Sequence, residues 1–146
     1  MKRRDVRELV FKALFAYDFE SSGDPFRLLD YIAGDLEMAG MKKGGRAAIL
    51  SVAENEYARR LISGIMDNKD ELDALISKYS IDWQIERLGV GERNVLRIGF
   101  YEMLYDEKLP PAIAINEALE LIKKYGADDA AGFVNGILDK KTAELS

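Results

Sequence analysis

The sequence predicts an all-α protein, and three observations carry that prediction. Apolar residues recur at helical spacing in almost every segment, and proline, glycine and Asx residues fall between segments, where helices start and stop. Period-two alternation is brief, and turn dipeptides of the hairpin type are missing. About seven helices result, packed as two helical sub-bundles, roughly 1–66 and 67–146, in one compact domain. A chain of 146 residues is of ordinary single-domain size, and its 48% hydrophobic and 32% charged residues allow a core and a solvated surface.

The first helix carries Val6, Leu9, Val10, Ala13, Leu14 and Tyr17 on one face. Asp24-Pro25 reads as an N-cap followed by proline at the first helical position, and Gly40 is expected to end that second helix. The stretch "AGMKKGG" (39–45) has loop composition. A long third helix places Leu50, Ala53, Tyr57, Ala58, Leu61, Ile62 and Ile65 along one side. Asn68 and Glu71 form a weak variant of the capping box, opening a fourth helix with Leu72, Leu75, Ile76 and Tyr79 inward. A turn around "IDWQIERLG", with Trp83 as a core anchor, leads to a fifth helix, roughly 92–106. Gly99 in its middle reads as a close helix–helix contact. Pro110-Pro111 starts a sixth helix ending at Lys123, Lys124, Tyr125 and Gly126, with cations at the favourable dipole end and a glycine suited to a left-handed cap. Asp128 or Asp129 caps a seventh helix carrying Phe133, Val134, Ile137 and Leu138.

Composition removes several function classes. There is no cysteine, which excludes disulfides, zinc-thiolate sites and thiol nucleophiles. There is no histidine, so Ser–His–Asp triads, imidazole acid–base chemistry and His-ligated metals are excluded as well. "GVGERN" (89–94) lacks the third glycine and the preceding strand of a dinucleotide loop, and reads as a glycine-rich helix entry. Asp128-Asp129 and Glu117/Glu120 make poor Mg²⁺ sites without a phosphate substrate. No cofactor, metal or catalytic residue is expected. No apolar run approaches the length of a membrane span, and no secretory signal pattern follows the basic start, so the expected compartment is the cytoplasm.

The charge distribution is uneven. Residues 2–12 carry a local charge of +3 through Lys2, Arg3, Arg4, Arg7 and Lys12, while the rest of the chain carries −8. Cations in a first helical turn oppose the helix dipole, at a cost of about 0.3–1 kcal/mol each. Arg3 and Arg7 stand four residues apart, as like charges on one helical face. The cluster is open to two readings: solvated terminal charge, or contact with phosphate or RNA. Phe133 is likewise either core or an aromatic platform near a helix N-terminus, where an unpaired base can stack.

Three stretches together resemble a known family: "RELVFKALFAYD" (7–18), "RLGVGERNVLRIGFYEML" (87–104) and "PPAIAINEALELIKKYGADDAAGFVNGILDK" (110–140). They are similar to the NusB family of bacterial transcription antitermination factors. The resemblance implies two helical sub-bundles and no catalytic activity. It implies binding of single-stranded boxA RNA together with a small-subunit ribosomal protein (NusE), on elongating RNA polymerase with other Nus factors. By the same resemblance, RNA contacts fall to Lys2, Arg3, Arg4 and Arg7 and, at the start of the last helix, to Asp129 and Phe133. The protein-partner surface falls to Phe15 and Glu92, with Phe15 standing where some relatives have tyrosine. An alternative is a helical accessory module serving an rRNA-modifying methyltransferase in trans. A first helix both apolar and basic also leaves pairing with a second copy open.

Overall fold

The computed structural model describes residues 3–19, 23–42, 50–80, 88–127 and 129–145, with 35–42 described by backbone alone. Among them are seven helices and no strand: α1 (Arg3–Phe19), α2 (Pro25–Lys42), α3 (Val52–Asp67), α4 (Lys69–Tyr79), α5 (Val90–Tyr105), α6 (Pro111–Tyr125) and α7 (Ala130–Leu145). The chain divides into two compact units, Met1–Ser63 and Gly64–Ser146.

In the first unit α1 packs along α2. Val6, Leu9, Val10, Ala13 and Leu14 are buried as their spacing requires, Phe11 joins them, and Tyr17 is only half-buried. The start of α2 follows its sequence signal, because the Phe26 N–H donates to Asp24 Oδ1 at 2.9 Å. Its end does not. The helix continues through Gly40 to Lys42, since an isolated glycine lowers helix propensity without blocking the next hydrogen bond as proline does. The remainder of the expected loop, 43–45, lies outside the described residues.

The third helix begins later than its apolar pattern suggested. Leu50 precedes it and Ala53 is exposed, whereas Tyr57, Ala58, Leu61, Ile62 and Ile65 are buried. A capping box sets the start: the Glu54 N–H donates to Ser51 Oγ at 3.1 Å, and the Ser51 N–H donates to Glu54 Oε1 at 2.7 Å. The Ser51 N–H holds the Glu54 carboxyl below its ordinary pKa. Ser51 and Glu54 at that spacing are a readable signal that the pattern of apolar residues obscured.

In the second unit α5 is the central helix, packed against α4, α6 and α7. Val95, Leu96, Ile98, Phe100 and Met103 are buried on it. The closeness of its neighbours depends on Gly99, where an added Cβ would lie 3.0 Å from Leu138 Cδ1 on α7 and 3.5 Å from Ala118 Cβ on α6.

Two expected caps take other forms. Asn68 stands at the N-cap position of α4 but makes no side-chain cap bond there. Its Nδ2 instead donates backward to the Gly64 carbonyl at 2.7 Å, and Glu71 accepts from the Tyr105 hydroxyl at 2.8 Å. Gly126 follows α6 with φ −106° and ψ 178°, extended rather than left-handed. Glycine is needed there for space, since a Cβ would sit 2.8 Å from the Ile122 carbonyl oxygen. Trp83, its turn (81–87) and Asp128 lie outside the described residues.

Candidate nucleic-acid interface

The N-terminal basic cluster is built on the first turns of α1. Arg3 and Arg4 are exposed, and Lys2 lies outside the described residues. Arg7, expected to share a helical face with Arg3 and to contact RNA, is only 3% exposed. Its place between Val6 and Val10, at the margin of the apolar stripe, carries its stem inward. One side chain from α3 receives both cations. Tyr57, itself 7% exposed, accepts a hydrogen bond at its hydroxyl from Arg7 Nη2 at 3.1 Å. The Arg3 guanidinium lies over the same ring, with Cζ 4.6 Å from the centroid. The repulsion expected between like charges at this spacing is thus opposed by an aromatic face for one cation and an oxygen lone pair for the other. Tyr57 had read simply as a core residue. A tyrosine on a buried stripe needs a hydroxyl partner, and that was the available signal.

In the second unit, Asp129 is exposed immediately before α7. Phe133 stands one turn into the helix and is half-buried, between the fully buried Ala130 and Val134 on one side and solvent on the other. The same helix carries Gly132 and Gly136, both exposed, with nothing within 4 Å of an added Cβ at either position.

The two residues assigned to a protein partner lie in different units. Phe15 is half-buried in a row of aromatic rings along α1, with centroid separations of 5.9 Å to Phe11 and 5.1 Å to Phe19. The row ends in Phe19, which is 67% exposed. Glu92, in the first turn of α5, is half-buried, and its carboxylate folds back against Gly89, the N-cap. An acidic side chain there meets the positive end of the helix dipole.

Among the described residues, no group of three or more acidic side chains is arranged to hold a metal ion. No helix among them is long and apolar enough to cross a membrane. The arrangement offers chemistry for recognition: exposed guanidinium groups, a half-buried phenylalanine and an exposed carboxylate.

Residues 4–142 match the model of the NusB family. The chain belongs to that family. A transcription antitermination protein NusB from Desulfosudis oleivorans is 37% identical over 143 residues, covering 98% of this chain and 86% of its own. A solved structure of NusB from Thermotoga maritima superposes with a TM-score of 0.83 at 38% identity, covering 99% of this chain and 92% of that one. A crystal structure of the antitermination factors NusB and NusE in complex with double-stranded RNA gives 0.75 at 28% identity, over 94% of this chain and 93% of that chain. The NusB resemblance read from three sequence stretches is therefore correct, as is the all-helical fold that it implied. Arg4, Arg7, Phe15, Glu92, Asp129 and Phe133 all fall within the NusB match, and Arg3 lies just ahead of it.

Proposed function

We propose that this chain is a transcription antitermination factor, without catalysis of its own, that binds RNA together with NusE. Family membership and the described NusB–NusE–RNA relative support the reading. The finer form is binding of boxA RNA within a Nus-factor complex on elongating RNA polymerase, in the cytoplasm. The observation that carries it in this chain is the exposure of Arg3 and Arg4 at the start of α1, where a helix built for stability alone would place acidic residues. Phosphate contact offsets that cost by releasing counterions from the RNA.

Lys2, Arg3 and Arg4 supply the phosphate contacts in this reading. Phe133 offers its open side to a base, and the Asp129 carboxylate accepts from a base amino group rather than meeting phosphate. Phe15 and Glu92 belong to the NusE-facing surface. Arg7, buried, acts behind the contact surface.

The test is fluorescence anisotropy of a labelled boxA RNA, with scrambled and duplex RNAs alongside, with and without NusE, over a salt series. Preference for boxA that NusE enhances and salt weakens is expected. Replacing Arg3 and Arg4 by Glu should make the log–log salt slope less negative by about 1.4 for two lost contacts to single-stranded RNA. An unchanged slope in a folded variant overturns the arginine surface. Binding to an rRNA methyltransferase, with none to NusE, would replace the reading by that of an accessory module.

A further inference from the structure

We infer that Tyr57 is a positioning residue for the RNA interface, holding the Arg3 guanidinium on its ring while Arg7 holds its hydroxyl. The inference rests on the RNA-binding reading above. It adds a residue on α3 that does not itself face the ligand.

The geometry forms a relay within the first unit. Arg7 is buried, and its Nη2 donates to the Tyr57 hydroxyl at 3.1 Å, which pins the far end of the ring. The ring belongs to a residue only 7% exposed and presents a face to Arg3. The Arg3 guanidinium lies 4.6 Å from the centroid, within the range of an attractive cation–π contact. A stacked guanidinium keeps its N–H groups at its edge, in the plane where phosphate oxygens approach two at a time.

This arrangement accounts for two otherwise unexplained features. A long side chain at a helix terminus loses rotamer freedom when it grips a ligand, and a platform that orders it beforehand reduces that loss. A cation in the first turn of a helix also faces the positive end of the dipole, and an aromatic face offsets part of that field. Arg7, which the resemblance assigns to RNA contact, takes the inner place in the relay. Its loss would weaken binding through Tyr57.

The experiment is a double-mutant cycle between Tyr57→Leu and Arg3→Gln, read as boxA affinity in the presence of NusE at fixed salt, with thermal unfolding as the fold control. Tyr57→Leu should weaken binding about three- to tenfold when Arg3 is present. It should have no further effect in the Arg3→Gln background. Tyr57→Phe, which keeps the ring but loses the hydroxyl that Arg7 holds, should weaken binding less than Tyr57→Leu does. Equal weakening by Tyr57→Leu in both backgrounds, or no weakening with Arg3 present, overturns the inference while leaving the RNA reading intact. If the parent protein binds no RNA, the RNA reading falls and takes this one with it. Should Tyr57→Leu fail to fold, the unmodified protein decides: the Arg3 Cδ protons should show an upfield ring-current shift in NMR spectra both free and with RNA bound. Loss of that shift on RNA binding overturns the relay.

Discussion

Arg97 on α5 donates from Nε and Nη2 to the two carboxylate oxygens of Asp73 on α4, at 2.7 and 3.0 Å. Arg97 is 5% exposed, and its Nη1 also donates to Asn94 Oδ1 at 3.2 Å. A two-pronged guanidinium–carboxylate pair fixes both distance and orientation, so it sets the register of α4 against α5. Removing Asp73 takes away the carboxylate that compensates a buried guanidinium. Asp73→Ala should therefore cost about 2–4 kcal/mol in urea unfolding, whereas the double replacement Asp73→Leu with Arg97→Met should cost less. A double variant as unstable as the single one would show that the pair contributes more than the charge it neutralises.

Glycines within helices should respond in opposite directions. Gly99→Ala places a methyl group about 3.0 Å from Leu138, which is fully buried and has no open space to enter. The clash should outweigh the intrinsic helix gain of about 1 kcal/mol, giving net destabilisation of about 1 kcal/mol. Gly136→Ala on α7 meets nothing, and should stabilise by about 0.5–1 kcal/mol. Chemical denaturation of the two variants checks the pair. Stabilisation by both would mean that α5, α6 and α7 can separate slightly at Gly99 without loss.

The Tyr79 hydroxyl donates to Glu144 Oε2 at 2.5 Å, linking the end of α4 to the last turn of α7. That bond is the main reason the Glu144 carboxyl lies below its ordinary pKa of 4.5, with Lys78 and Lys141 adding to the effect and desolvation opposing it. The same bond is the main reason the Tyr79 hydroxyl lies above its ordinary 10.0. For Glu144, whose folded pKa is lowered, the stabilisation is full above 4.5 and is lost as pH falls through the lowered value. For Tyr79, whose folded pKa is raised, it is full below 10.0 and is lost as pH rises through the raised value. The stability difference between the parent and Glu144→Gln should thus be flat near neutrality and close at both extremes. A difference independent of pH would remove the ionised carboxylate from the account.

The capping box of α3 gives a local prediction. Ser51→Ala should cost about 1 kcal/mol, and Ser51→Asp should restore most of it. Amide hydrogen exchange at Glu54 should accelerate in the alanine variant, because the Ser51 hydroxyl accepts from that N–H. Unchanged exchange would mean that the first turn of α3 is held by its packing.

For Phe133, stability and RNA affinity should separate. Phe133→Leu keeps an apolar side chain at this half-buried position and should cost less than about 1.5 kcal/mol in unfolding. If the open face stacks on a base, the loss of RNA affinity should be about five- to one-hundredfold. Loss of stability without loss of affinity would assign the ring to the core.

How far the sequence could be read varied with the kind of signal. Helix starts marked by proline were legible: Asp24 before Pro25 caps α2, and Pro110-Pro111, with its fixed φ, opens α6. Signals that depend on conformation were less so. Gly40 looked like a stop and is passed through, and Gly126 looked left-handed and is extended, because glycine permits several conformations and its neighbours select among them. Asn68 has the right chemistry and place for a cap, but bonds backward to Gly64, as Asn can wherever a nearby carbonyl competes.

The sequence by itself determined the helices, most of their buried faces and the family, because hydrophobic periodicity and contiguous motifs are written in neighbouring residues. It also determined that any function here must do without cysteine and histidine chemistry. Only the tertiary structure decided what distant residues do together. Arg7 and Tyr57 are fifty positions apart, and the α1 pattern, which sets Arg7 at the margin of the apolar stripe, does not show that its guanidinium meets a hydroxyl from α3. Arg97 and Asp73 likewise form a pair only once α4 lies along α5. A charged side chain is stable at the surface, and stable when buried only beside a partner. Its position is chosen by the partner that folding brings to it, and that partner lies beyond the reach of local periodicity.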